Sequence, residues 1–339
     1  MAALSAAATK QTTGAGALDR LLSATQADME RVNAMILSRA ESHVEMVPQL
    51  ARYLIEAGGK RLRPMLTVAA AQLFGQANGA EVNYAAAVEF MHNATLLHDD
   101  VVDESDLRRG RPAARMIWGN QASVLVGDFL LGQAFMMMVE AGDINALGVL
   151  SRAATIIAEG EVFQLAKAKD LDTTPDEYRQ VIHAKTATLF AAAAEVGAMA
   201  GGADAAGREA LRVYGEELGL AFQLVDDVLD YRGESGTLGK NTGDDLREGK
   251  MTLPVILTLA AANPAEREII TGALGQDETP EGVLTQVVAI FNRHGSLDRT
   301  VEQADQHVRL ARAALAPLPD SAMKTLLSDI ADFYVSRAY

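Results

Sequence analysis

Apolar side chains recur at every third or fourth position over most of the chain. Between Leu18 and Tyr53 they include Leu21, Leu22, Met29, Val32, Met35 and Ile36, the spacing that lines one face of an α-helix. The Gly58-Gly59 pair interrupts the pattern. Pro64 then stands near the start of the next run, Met65 to Phe74, where its fixed φ suits a first turn. Val82 to Asp103 is a further run, followed by the basic segment Leu107 to Pro112. Thr174-Pro175-Asp176-Glu177 reads as cap, first-turn proline and first-turn acids. Gly201-Gly202 separates two later helices. No hairpin dipeptide lies between alternating strands, no βαβ alternation is present, and no repeat of solenoid length appears. The pattern predicts an all-α protein with one domain over residues 18–339. The Ala/Ser/Thr-rich residues 1–17 read as a flexible tail without an apolar signal core.

Composition narrows the class. Of 339 residues 49% are apolar, enough for a large core, and only 5% are aromatic. The apolar set is mostly Ala, Leu, Val and Met, and Ala, Leu and Met lose little side-chain freedom in a helix. The formal net charge of −15 excludes a nucleic-acid surface, which needs clustered excess base. Cysteine is absent, so disulfides and thiolate metal sites are excluded, and a cytoplasmic location is expected. No uncharged, strongly apolar stretch reaches about 18 residues. The best candidate, Ala187 to Gly202, carries Glu195 at its centre. A soluble protein is expected, with room for transient membrane contact.

Two acidic clusters carry the chemistry: Asp99-Asp100-Val101-Val102-Asp103 and Asp226-Asp227-Val228-Leu229-Asp230. Each sets carboxylates at i and i+4, on one face of a helix. Aspartate is a poor mid-helix residue and like charges at that spacing repel. A single cluster would pass for a solvated helix end. Two of identical pattern, both flanked by apolar residues, call for a compensating cation. Magnesium is suited: it takes carboxylate oxygens and keeps places for phosphate.

Basic groups accompany them. Gly58-Gly59-Lys60-Arg61-Leu62-Arg63-Pro64 combines two glycines, which let a backbone approach phosphate closely, with cations. Arg108-Arg109-Gly110-Arg111-Pro112 follows the first aspartate motif directly. Alone, either reads as a solvated face; beside a metal motif in an acidic protein, both read as diphosphate sites. Lys185-Thr186, Gln223, Lys240 and Lys250 surround the second motif. Gly239-Lys240 is not a Walker loop, because the spaced glycine, the following hydroxyl and the preceding strand are all missing. His98-Asp99 does not make a metal phosphohydrolase, which needs more histidine ligands, and His98 reads as a polar neighbour. His92, seven residues from Asp99, lies on nearly the same face.

Taken together, Gly59-Lys60-Arg61-Leu62-Arg63-Pro64, the two aspartate motifs, Arg108-Arg109-Gly110, Lys185-Thr186, Phe222-Gln223 and Gly239-Lys240 resemble, in order, the all-trans polyprenyl diphosphate synthases. The resemblance spans roughly residues 20–339, and Gly239 to Leu246 matches the pattern Gly-Lys-x-x-Gly-x-Asp-Leu in full. It implies a helical bundle around a central cavity, the isoprenoid synthase fold, usually as a homodimer with three magnesium ions between the aspartate motifs. By motif, Asp99, Asp103 and Asp226 are implied as principal metal ligands, assisted by Asp100, Asp227 and Asp230. Gly59, Lys60, Arg63, His92 and Arg109 are implied for isopentenyl diphosphate. Arg108, Lys185, Thr186, Gln223, Lys240 and Lys250 are implied for the allylic diphosphate, such as farnesyl or geranylgeranyl diphosphate. Residues 233–249 are the candidate closing lid.

Chain length should be set upstream of the first motif. Ala94 lies five residues before Asp99, about 7.5 Å along a helix, with Thr95 one residue nearer. Farnesyl synthases commonly put aromatic bulk there. Small Ala94 and Thr95, with flexible Met91, predict a long product of about C40 to C50 for quinone side chains. Met136, Met137 and Met138 are candidates for the cavity floor. Three other readings compete. A class I terpene cyclase would carry a different second metal motif and no isopentenyl site. A non-catalytic subunit of a heteromeric synthase would lack an aspartate motif. A short-chain synthase is separated only by Ala94 and Thr95. Replacing Ala94 with Phe should shorten the product toward about C15 or C20 with condensation intact. Mass spectrometry of the products checks this, and unchanged length removes Ala94 from the elongation cavity.

Overall fold

The computed structural model describes residues 2–75, 79–232, 242–276 and 281–336, with side chains from residue 16 onward except at position 281. Fifteen α-helices follow in order among these residues. They are α1 (Ala2–Arg39), α2 (Met46–Glu56), α3 (Leu62–Phe74), α4 (Ala80–Val102), α5 (Ala114–Ala141), α6 (Ile144–Lys167), α7 (Pro175–Ile182), α8 (Thr188–Ala200) and α9 (Ala205–Arg232). Then come α10 (Asp244–Arg247), α11 (Leu253–Leu259), α12 (Pro264–Ala273), α13 (Glu281–Arg293), α14 (Ser296–Leu315) and α15 (Ala322–Ser336). A π-helical turn, His183–Ala187, joins α7 to α8. The expected all-α class is what the chain forms.

The starts and stops follow local chemistry. Thr174 caps α7 as expected: its hydroxyl accepts from Glu177 N at 3.2 Å, and Glu177 Oε2 accepts from Thr174 N at 2.8 Å. Asn263 and Glu266 repeat this box at α12. One expectation needs correction. The run Leu18 to Tyr53 is broken at residues 40–45, where Ser42 Oγ accepts from Val44 N at 3.1 Å and turns the chain. Residues 2–17, read as a flexible tail, have a helical backbone, in keeping with the helix propensity of their alanines. The core begins at Ala17 and Leu21, each 1% exposed.

Among the described residues the only strands are Leu107–Arg108 and Arg111–Pro112, paired antiparallel around Arg109 and Gly110. Both turn residues have positive φ, 53° and 74°, the backbone of a two-residue hairpin. The basic segment is therefore a small hairpin, and successive residues along it face opposite ways.

Helices α3, α4 and α8 are buried nearly all round, the mark of central elements. α4 packs on α5, α8 on α3 and α9, and α9 on α14. Close crossings depend on missing side chains. A Cβ on Gly197 would stand 2.2 Å from Thr67 O, and one on Gly215 2.4 Å from Phe190 O. The apolar stretch Ala187 to Gly202 falls mostly within α8, in the core. One described helix, α5, is long and apolar enough by composition to cross a membrane, with 39% of its most apolar window buried.

Gly215→Ala would drive a methyl into a carbonyl that helix geometry holds in place. We expect a loss of about 1–3 kcal/mol, read from urea unfolding. Wild-type stability would contradict this tight crossing of α8 and α9.

Candidate active site

Each aspartate motif lies in the C-terminal turns of a long central helix, α4 or α9, with Asp103 as the α4 C-cap. Carboxylates at that end meet the negative pole of the helix dipole. The structure compensates them by position. The second aspartate of each motif points into the protein: Asp100 is 0% and Asp227 2% exposed. Asp100 Oδ1 accepts from Arg108 Nε at 2.8 Å and also from its Nη2. Burial raises the Asp100 pKa, and Arg108 opposes that rise. Asp227 accepts from Tyr178 Oη at 2.6 Å and Gln223 Nε2 at 2.9 Å. Burial, with Asp245 nearby, pushes it up to about 8.

The first and third aspartates are less enclosed. Asp99 lies 3.5 Å from Lys185 Nζ, and Asp103 3.3 Å from Lys250 Nζ. Asp226 is exposed. Asp230 accepts through one oxygen from Asp244 N and through the other from Asp245 N, both at 3.2 Å. It thereby ties α10 to the end of α9. Lys250 also stands 4.0 Å from Asp245, so this one ammonium links the first motif to the segment anchored on the second.

Lys185 sits on the π-turn, where one extra residue per turn shifts the register of the side chains. Its ammonium lies between Asp99 and Glu161, 3.1 Å from the latter. Burial opposes its charge, yet Asp99 and Glu161 raise its pKa overall. The next residue, Thr186, donates to Gln223 Oε1 at 2.8 Å. A continuous chain results: Thr186, Gln223, Asp227, Tyr178. It joins the π-turn, α9 and α7, and fixes which end of the Gln223 amide faces each neighbour.

The basic residues form a second cluster. A Cβ on Gly59 would come within 2.9 Å of the Arg109 guanidinium, so glycine there lets Arg109 lie across the backbone. Arg63 stands 4.5 Å from the Phe190 ring centre, and its buried Nε has no hydrogen-bond partner among the described residues. Burial pulls Arg63 down to about 10 against the attraction of Glu89. Burial also lowers Arg109, with Arg108 and Arg61 adding to the effect. His92 is held neutral by burial and by Arg63, Arg109 and Arg108. Cations that depress one another, with an unpaired buried N–H among them, suit a polyanion.

The structure thus brings together Asp99, Asp103, Lys185 and Lys250, and joins Thr186, Gln223 and Asp227. It gathers Gly59, Arg63, His92 and Arg109 separately. Arg108, read for the allylic diphosphate, also bonds Asp100. Lys240 and residues 233–241 of the expected lid lie outside the described residues. Met91 and Ala94 are each 2% exposed on α4, and Thr95 donates to His92 O at 2.8 Å. Met137 and Met138 are core residues, whereas Met136 is 51% exposed. His98 bonds with Val124 O at 3.2 Å, a polar neighbour as expected. Sequence reasoning missed Glu161, Tyr178, Glu89 and Asp245. Asp245 lay inside a motif already noted; the others have no signal at sequence range.

Among the described residues no three His, Asp or Glu side chains form a ready cage for a metal ion. Hard carboxylate oxygens on the two motifs still fit magnesium, which normally completes its shell with water and phosphate oxygens.

A helical bundle with paired aspartate motifs beside a cationic cluster defines an enzyme of diphosphate chemistry. The Polyprenyl synthetase family model matches residues 44–291, and the chain belongs to that family. It is 44% identical to octaprenyl diphosphate synthase of Escherichia coli (strain K12) over 320 residues, 94% of this chain and 99% of that one. A crystal structure of polyprenyl synthase from Caulobacter crescentus CB15, complexed with calcium and isoprenyl diphosphate, superposes with TM-score 0.91. That pair shares 52% identity over 95% of this chain and 98% of the other. A decaprenyl diphosphate synthase from Rhodobacter capsulatus gives TM-score 0.89 at 49% identity, covering 95% and 99%. The chain is a trans-polyprenyl diphosphate synthase, a long-chain prenyltransferase.

Tyr178→Phe deletes one donor to a buried carboxylate. We expect a stability loss of about 1–3 kcal/mol and a several-fold rise in KM for the allylic substrate. Unfolding and steady-state kinetics read the two. No change in either would remove Tyr178 from the support of the site.

Proposed function

We propose that this chain adds isopentenyl diphosphate repeatedly to farnesyl or geranylgeranyl diphosphate. The product is an all-trans polyprenyl diphosphate of about C40 to C50, made in the cytoplasm for quinone side chains. The observation that carries the reading is the approach of the first motif, through Lys250, to the segment anchored on the second, with Lys185 beside it on Asp99. Small Ala94 and Thr95 below that mouth, and the octaprenyl and decaprenyl products named for the relatives, favour a long chain.

Lys185, Lys250, Thr186 and Gln223 hold the allylic diphosphate, with Lys240 assigned there by motif. Gly59, Lys60, Arg63, neutral His92 and Arg109 hold isopentenyl diphosphate. Magnesium, three ions by family resemblance, would rest on Asp99, Asp103 and Asp226 and supply charge neutralisation for the departing diphosphate. Departure leaves an allylic cation, which the double bond of isopentenyl diphosphate attacks; a proton is then lost. The buried α4 face keeps water from the cation. No side-chain base is required, because the released diphosphate can take the proton.

A homodimer is part of the reading. Leu125 and Val139 on α5 and Val162 and Leu165 on α6 are each more than 60% exposed. An apolar face of this kind suits a second copy.

The test gives purified protein farnesyl diphosphate, labelled isopentenyl diphosphate and Mg²⁺, with EDTA as control. A metal-dependent ladder ending near C40 to C50 supports the reading. A stop near C15 or C20 would keep the reaction and overturn the chain length, and no incorporation from any allylic starter would overturn the reaction. Sedimentation of the same sample as a monomer would overturn the dimer.

A further inference from the structure

The C-terminal helix α15 ends against the basic cluster. Lys60 Nζ stands 5.4 Å from the centre of the Phe333 ring. Phe333 packs edge-on against Tyr334 at 5.3 Å and 67°, and Tyr334 against Phe222 at 5.2 Å. Phe222 meets Phe190 at 5.6 Å, and Phe190 carries the Arg63 guanidinium at 4.5 Å. Four rings, each within pairing distance of the next, thus end in two cations of one cluster. Tyr334, inside the row, and Phe190, at its far end, are buried, 1% and 0% exposed. Phe333 is half-buried and Lys60 exposed. Lysine is a flexible point charge on a four-carbon stem, and the Phe333 ring face is one of the groups beside its ammonium. Neither Phe333 nor α15 belongs to any motif of the site.

We propose that Phe333 is a positioning residue for isopentenyl diphosphate: its ring face holds the Lys60 ammonium where the homoallylic diphosphate binds. The proposal rests on the assignment of Lys60 to that substrate. Attraction of a cation to a ring depends on electron density over the face, so graded removal of that density tests it without changing shape. The experiment replaces Phe333 by mono-, di- and trifluorophenylalanine in the full-length enzyme and measures KM for each substrate. Expected is a stepwise rise in KM for isopentenyl diphosphate, three- to tenfold overall, with kcat, allylic KM and melting temperature unchanged. The same series on a Lys60→Ala background should be flat, because the partner is gone.

A flat series in the wild-type background, or equal rises for both substrates, overturns the role of Phe333. If Lys60→Ala alone leaves KM for isopentenyl diphosphate unchanged, the assignment of Lys60 itself fails, and that outcome is read separately. Phe333→Leu should weaken isopentenyl diphosphate binding and Phe333→Tyr should restore it. Equal binding by these two would show that bulk, and not the ring, is what matters.

Discussion

Carboxylates at the C-terminal ends of two central helices are the constraint on which the site depends. Each motif puts three carboxyl groups where the helix dipole is already negative, and one of the three is forced inward by helical geometry. At about 100° per residue, positions i and i+4 share a face while i+1 turns away. Asp100 and Asp227 are those inward residues. A buried, unpaired carboxylate is costly, so each has fixed donors: the Arg108 guanidinium for one, Tyr178 and Gln223 for the other. These donors come from a hairpin, from α7 and from α9 itself. Satisfying the buried pair therefore also fixes the elements around the mouth.

The outer aspartates follow another logic. Lys185 and Lys250 lie against Asp99 and Asp103, and in both lysines carboxylate attraction outweighs burial. Nearby, Arg63 and Arg109 have the opposite balance and are lowered. One half of the site is negative with cations attending it; the other is positive with too little negative charge. A metal–diphosphate complex and a bare diphosphate are complementary to these halves respectively. The protein as a whole, at −15, needs such a local excess of base before it can bind an anion.

Packing makes the arrangement stiff. At Gly197 and Gly215 a side chain would meet a neighbouring carbonyl, so α3, α8 and α9 approach backbone to backbone. Glycine costs helix stability, which is tolerable only where contact of this kind replaces it. The π-turn is a second departure from regular helix, and it carries Lys185 and Thr186, which reach Asp99 and Gln223.

Much of this was legible along the chain. Periodicity set the helical class; the Thr174 box and the glycine pairs marked boundaries; the aspartate spacing and the basic runs named most of the site. Those signals are local, decided by dihedral preference and by residues within one or two turns. What the tertiary structure decided involved partners far apart in sequence. Tyr178 reaches Asp227 across 49 positions, and Lys250 reaches Asp103 across 147. The Arg108 side chain, legible as a phosphate ligand by charge and place, also bonds Asp100, because the hairpin turns it inward. Nothing in the pattern of α15 announced that Phe333 would stand beside Lys60. Spacing reports which groups share a helix face, but which groups share a cavity depends on how the helices cross.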